Sequence, residues 1–236
     1  MSRRILCRFH EDRTPSMYLY PDGGYCFVCQ KRATLEELAL PGGAPVEEQE
    51  PEDLAPALEY IDSLPLKPWR GLQVPMDGDS AYLVWPDRTY FKRRLLNNEK
   101  VRYLGPTGHS APWFWVKDYG HALVVIEGEI NALSVHAACP HLAVASPGAS
   151  SKFSRKSAQN SLTKVCNFDT VLIVADADAA GAKAVIDLYG EIAGRVPTVR
   201  TLLMPTDAND LLVNRGTDEV KRVIEGAVEG HLAQSP

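Results

Sequence analysis

Long apolar runs are missing from this chain of 236 residues. None approaches the roughly 18 consecutive apolar residues that a membrane helix needs. The opening MSRRILCRFH has no apolar stretch of the kind a secretory signal carries. A cytoplasmic chain with no membrane partner is therefore expected. Cysteine is sparse and odd in number, five in all, so a disulfide framework is not expected. No G-x-x-x-x-G-K-[ST] loop occurs. GPTGHS (105–110) lacks both the lysine and the strand-to-helix setting, which excludes an NTP-driven motor of that type. Basic residues are absent from 34–62, where nine acids fall.

That last absence accounts for much of the net charge of −5. Residues 1–33 carry six bases and three acids, 63–121 nine and five, and 122–236 ten and thirteen. An acidic total therefore hides two locally basic stretches, and a nucleic-acid partner stays open.

Residues 1–33 are rich in aromatics, Cys, Gly and Arg and too short to hold a core without a staple. TLEELAL (34–40) reads as one helical turn or two, with Thr34 and Glu37 as a capping box. PGGAPVEEQEPEDLAP (41–56) has the composition of an extended, self-repelling linker. From about Leu54 the pattern is globular. AYLVW, TYFKRRLL and KVRYLG alternate as short strands do. HALVVIEGEINALSVHAA (121–138) passes from an apolar run, Leu123 to Ile126, to helical spacing at Ile130, Leu133, Ser134 and Ala137. The same strand, acidic turn and helix recur in TVLIVADADAAGAKAVIDLYGEIA (170–193). HLAVASPGASS and TVRTLLMP supply two more strands. Such alternation implies an α/β domain with a parallel sheet and its ligands at the carboxyl ends of the strands, where Glu127, Asp176 and Asp178 fall.

Three constellations carry chemistry. Cys7, His10, Cys26 and Cys29 form C-x2-H-x15-C-x2-C, two pairs of equal spacing that can converge on one tetrahedral zinc, which would also supply the missing staple. In the same segment Met17 and Leu19 alternate with Tyr18 and Tyr20, and exposed aromatics beside Arg8 and Arg13 suit stacking on single-stranded bases. They serve equally well as a miniature core. Asp176 and Asp178, at i and i+2 on an extended segment, lie about 6 to 7 Å apart on one side. With Glu127 from another strand end they suit Mg²⁺ (or Mn²⁺), which takes a few carboxylate oxygens, waters and substrate phosphates. A D-x-D alone often marks only a helix N-terminus. Asp207 and Asp210 add acids after a fourth strand. Lys92, Arg93, Arg94, Lys100 and Arg102 put five cations in eleven residues with only Glu99 among them, a pattern for phosphate binding that Lys152, Arg155 and Lys156 extend. Strand alternation would turn some of them to solvent in any case. Cys139 and Cys166 belong to none of these sets and read as packed, inert thiols.

These pieces, in this order, resemble DNA primases of the bacterial type, and more closely the primase half of phage primase-helicase proteins. The ribbon Cys7 to Cys29 is similar to their zinc ribbon. VVIEGEINALSV, ASPGASSKFS, VLIVADADAAGAKAV and TDANDLL resemble successive motifs of the Toprim fold, and KRRLLNNEKVRYLGPTGHSAPWF the basic segment before it. The resemblance covers about residues 5–33 and 88–215. It implies a β zinc ribbon (1–33), a short helix and acidic linker (34–54), the basic N-terminal part of an RNA polymerase domain (55–121) and a Toprim subdomain with a C-terminal helix (122–236). It further implies templated synthesis of short RNA primers from NTPs on single-stranded DNA by two-metal nucleotidyl transfer. Glu127, Asp176 and Asp178 would be catalytic and hold Mg²⁺ with Asp207. Lys92, Arg93, Arg94, Lys100, Arg102 and Lys152 would bind nucleotide or template. Zinc would be structural, and a separate helicase would unwind the duplex. Where the family shows E-G-x-x-D, this chain has Asn131. A non-catalytic recombination mediator also joins a zinc module to a Toprim fold, but would carry a helix-hairpin-helix before the zinc module, where six residues precede Cys7. The basic segment argues against a third possibility, a Toprim nuclease.

Overall fold

The structure, a computed structural model, describes residues 4–5, 7, 9, 17–20, 23–26, 29, 31–34, 38, 53–97, 103–106, 111–148 and 161–230. His10, Lys100, Arg102 and Lys152, together with residues 41–52 of the acidic linker, lie outside them; its last two residues, Ala55 and Pro56, open the first helix instead. The chain divides into two compact units, Met1–Glu52 and Asp53–Pro236.

In the smaller unit, β1 (Arg4–Ile5), β2 (Met17–Tyr20), β3 (Gly23–Cys26) and β4 (Lys31–Ala33) form an antiparallel sheet in sequence order. Met17 pairs with Cys26 and Tyr18 with Tyr25. Because successive side chains alternate in facing, the buried Met17 and Cys26 share one face and the two tyrosines the other. The helix expected over 34–40 falls mostly outside the described residues. Within it the Leu38 N–H bonds to the Thr34 carbonyl at 2.9 Å.

The larger unit opens with α1 (Ala55–Ser63) and an antiparallel meander of β5 (Leu66–Trp69), β6 (Leu72–Asp77), β7 (Ser80–Val84), β8 (Phe91–Leu95) and β9 (Tyr103–Leu104). A second five-stranded sheet follows, ordered β10 (Phe114–Lys117), β12 (Ala143–Ser146), β11 (Ala122–Ile126), β13 (Thr170–Asp176) and β14 (Thr198–Met204). Only β10 runs antiparallel in it. Helices α2 (Glu129–Ala138), α3 (Ala179–Ile192), α4 (Ala208–Arg215) and α5 (Thr217–Glu229) flank the sheet, and residues 161–165 are helical as well. No helix among the described residues is long and apolar enough to cross a membrane.

Strands buried on both faces read as unbroken apolar runs, and β11 and β13 do so. Val124, Ile126, Leu172 and Val174 pack toward one helical layer that includes α2 and α5. Leu123, Val125, Val171 and Ile173 pack toward α3, which offers Ala184, Val185, Leu188 and Ile192 at helical spacing. The buried face of α2 differs from the one its periodicity suggests. Ala137 is exposed, whereas Ala132, Val135 and Ala138 are buried, because α2 is covered on more than one side. Its Ile130 and Leu133 pack with Val74, Ala81 and Leu83 of the meander. Trp85 makes a second junction. It meets Tyr90 and Phe114 edge-on at 4.9 and 4.8 Å and donates its indole N–H to the Trp113 carbonyl at 3.2 Å. These shared cores hold the meander and the parallel sheet together.

Two glycines make the strand-to-helix turns. Gly128, between β11 and α2, has φ 85° and ψ 131°, a conformation essentially reserved for glycine. Gly181, in the first turn of α3, sits so close to Asp176 that a Cβ would lie 2.1 Å from the Asp176 carbonyl oxygen. That contact is with backbone and cannot swing away. Gly181→Ala is expected to destabilise the larger unit by about 1–3 kcal/mol, seen as a lower midpoint in urea unfolding with an unchanged m-value.

Candidate active site

Three strand-to-helix turns open at the same edge of the parallel sheet. Glu127 follows β11, Asp176 ends β13 and Asp207 follows β14. Together with Asn131 these three acids line one narrow cleft over an apolar floor of Ile126, Val174 and Met204. The turns are pinned to one another by backbone: Glu127 N–H to the Val174 carbonyl (3.4 Å), Gly128 N–H to the Gly148 carbonyl (2.9 Å) and Ala177 N–H to the Met204 carbonyl (2.9 Å).

Asp178 does not line the cleft. It is the N-cap of α3, and its Oδ1 accepts from the Gly181 N–H at 2.7 Å. Asp207 caps α4 in the same way, accepting from Asp210 N–H at 2.7 Å, but stays on the cleft wall. Two capping carboxylates and three helix N-termini thus face the edge where the acids collect, and the positive helix ends offset part of their repulsion. The compensation is incomplete at Asp176. Partial desolvation, then the charges of Asp207 and Asp178, push its carboxyl above the ordinary aspartate range.

Among the described residues the only trio of metal-ligating side chains with donor atoms within 4.8 Å of one another is Cys7, Cys26 and Cys29. The carboxylates are spaced more widely than that. This fits Mg²⁺, which dehydrates reluctantly and is held by one or two carboxylates plus waters and phosphates, better than a closed all-protein cage. Glu127, Asp176 and Asp207 are the residues that would hold it. The thiols fit zinc. Cys7 Sγ and Cys29 Sγ lie 3.6 Å apart, close to the about 3.8 Å edge of a tetrahedron with Zn–S bonds near 2.3 Å. Phe9 N–H donates to Cys7 Sγ at 3.4 Å.

The basic strand splits by side-chain alternation. Arg93 bonds through Nε to Ser80 Oγ at 2.8 Å. Lys92 and Arg94 share the other face, where the Arg94 guanidinium lies 4.9 Å from the Tyr103 ring centre. Lys92 is already engaged. Its ammonium pairs with Glu129 on the first turn of α2 and lies 5.7 and 5.6 Å from the Trp85 and Tyr103 ring centres. Glu129 is only 6% exposed, and its charge, after burial, helps push the Tyr90 phenol up. Glu129 carries a sequence signal, an acid two residues after Glu127 in E-G-E; for Asn209 and Arg70 no local pattern exists.

A Toprim-like family model matches residues 124–212. No curated protein matches the chain in sequence. The primase fragment of the bacteriophage T7 primase-helicase protein superposes with a TM-score of 0.57 at 20% identity, over 94% of this chain and 99% of that one. The fold is that of a phage primase fragment. A chain from a second bacteriophage T7 structure superposes with a TM-score of 0.50 at 24% identity, over 67% of this chain and 82% of its own. That structure shows a lagging-strand DNA polymerase with primase domains of two gp4 subunits bound to an RNA/DNA hybrid and dTTP. The larger unit is thus a Toprim-like sheet preceded by an antiparallel meander, and the smaller a four-stranded ribbon with a cysteine cluster.

Removing one partner of a buried ion pair strands the other. Glu129→Ala is therefore expected to cost about 3 kcal/mol or somewhat less, since Lys92 retains partial exposure. Chemical denaturation of the variant checks it.

Proposed function

We propose that this chain is a DNA primase: a nucleotidyltransferase that builds short RNA primers from NTPs on single-stranded DNA. The observation that carries this reading is the cleft of Glu127, Asp176 and Asp207 at the carboxyl edge of the parallel sheet, in a chain whose fold follows a primase fragment over nearly its whole length. Bound Mg²⁺ supplies Lewis-acid stabilisation of the transferring phosphoryl group and a more acidic 3′-hydroxyl. The three carboxylates hold and orient those cations, and Asp178 supports the edge chiefly as the cap that starts α3. Asp176, the most crowded acid, gains most from a cation beside it. Arg94 and Lys92, on one face of β8 beside the Tyr103 ring, are the groups for triphosphate and template; Arg93 lies on the opposite face, bonded to Ser80, and Lys100, Arg102 and Lys152, assigned the same role from sequence, lie outside the described residues. Lys92 serves phosphate only by sharing or leaving Glu129.

Zinc would be held by Cys7, Cys26 and Cys29, with His10, outside the described residues, as the fourth ligand, and would staple the small core around Met17 and Ala33. On the ribbon's other face Tyr18 and Tyr25 stand opposite each other, and Arg32 stands opposite Tyr25. Two rings and a guanidinium in one cross-strand row suit contact with unpaired bases and their phosphates.

Incubation of the chain with single-stranded DNA, labelled NTPs and Mg²⁺ is expected to yield short RNA products. Asp176→Ala should lower the rate roughly a thousandfold, the several kcal/mol that a lost metal charge costs in the transition state, while its melting curve stays intact. DNA binding without product would instead favour the non-catalytic mediator. Metal analysis should find about one zinc per chain, as one tetrahedral site requires. A chain lacking residues 1–52 should still extend a supplied dinucleotide but initiate poorly and without preference for template sequence.

A further inference from the structure

Asn131 stands on the cleft wall among three carboxylates, and both ends of its amide are engaged. Nδ2 donates to the Glu127 carbonyl at 2.9 Å, and Oδ1 accepts from the Asn209 backbone N–H at 3.0 Å. The first contact reaches the turn after β11; the second reaches the first turn of α4, beside the Asp207 cap. One side chain thus bridges the backbones that carry two of the three cleft acids.

Asn209 is itself held on every side. It is 1% exposed. Its Nδ2 donates to the Arg70 carbonyl at 2.9 Å and to Ser134 Oγ at 3.0 Å, and its Oδ1 accepts from Arg70 Nη1 at 3.1 Å. The directions are forced by chemistry. Ser134 gives its one hydroxyl proton to the Ile130 carbonyl at 2.9 Å, so it can only accept from Asn209, whose nitrogen must face it. The Asn209 N–H can only donate, so Asn131 must present its oxygen there and its nitrogen to Glu127. Arg70, at φ 52° in the turn between β5 and β6, ties this network to the meander.

We infer that Asn131 is a positioning residue, which with Asn209 sets the separation of the Glu127 and Asp207 turns through its amide and does not act as a metal ligand. The inference rests on the primase reading above. An aspartate at position 131 would keep the bond from Asn209 but set an acceptor against the Glu127 carbonyl, losing the donor the brace requires.

Primer synthesis by the full-length chain, followed against nucleotide and Mg²⁺ concentration, separates the two roles, with melting curves taken to confirm folding at the assay temperature. Asn131→Ala is expected to lower kcat roughly tenfold to a hundredfold, the scale of a misplacement near 1 Å, with nucleotide KM unchanged. Asn131→Asp should lower kcat likewise and should not reduce the Mg²⁺ requirement. If the aspartate variant does not fold, the alanine variant decides. Wild-type kcat in folded Asn131→Ala, or a lowered half-saturating Mg²⁺ in Asn131→Asp, would each overturn the assignment. A wild-type chain that makes no product removes the primase reading, and this assignment with it. An active wild type with an indifferent Asn131→Ala removes the assignment alone.

Discussion

Burial of β13 on both faces is the constraint from which the rest of the larger unit follows. Val171 to Ala175 are all buried, so the strand has nowhere to place a charge until it leaves the sheet. Asp176 is the first residue at which it does. Parallel pairing with β11 and β14 in matched register brings two more strand ends to the same edge, and with them Glu127 and Asp207. The turn out of β13 is so tight that α3 begins against the Asp176 carbonyl, and only Gly181 fits there.

Collecting acids at one edge raises an electrostatic problem that the fold answers in parts. Helix N-termini contribute on the order of 0.3–1 kcal/mol each toward nearby negative charge, and the capping bonds of Asp178 and Asp207 engage one oxygen of each. Burial, and after it the charges of Asp207 and Asp178, still hold the Asp176 carboxyl above its ordinary range. A different solution operates a few residues away, where Glu129 is neutralised by Lys92 from the meander. An ion pair this buried adds little net stability, because desolvation offsets the attraction. What it contributes is register: it joins β8 to the first turn of α2, as the Arg70–Asn209 contacts join the β5–β6 turn to α4.

Much of this was legible in the chain as written. Apolar runs of strand length followed by an acid and a glycine marked β11 and β13, and the recurrence of that unit implied the parallel sheet. The spacing of Cys7, Cys26 and Cys29 announced the thiol cluster. What was not legible were the partners of individual polar side chains. D-x-D spacing treats Asp176 and Asp178 alike, yet one faces the cleft and the other caps a helix, because the backbone turns between them. The basic cluster presented five equivalent cations, and only packing engages Lys92 with Glu129.

The sequence by itself determined the elements, their order, the sheet type and the chemical character of each end, because hydrophobic periodicity and glycine placement act over a few residues at a time. Only the tertiary structure decided which donor meets which acceptor. Asn209 and Arg70 are 139 residues apart and Asn209 and Asn131 are 78 apart. No local pattern encodes such meetings; they exist because two sheets distant in sequence pack on shared cores and bring those groups within hydrogen-bond reach, with a single consistent direction for each proton.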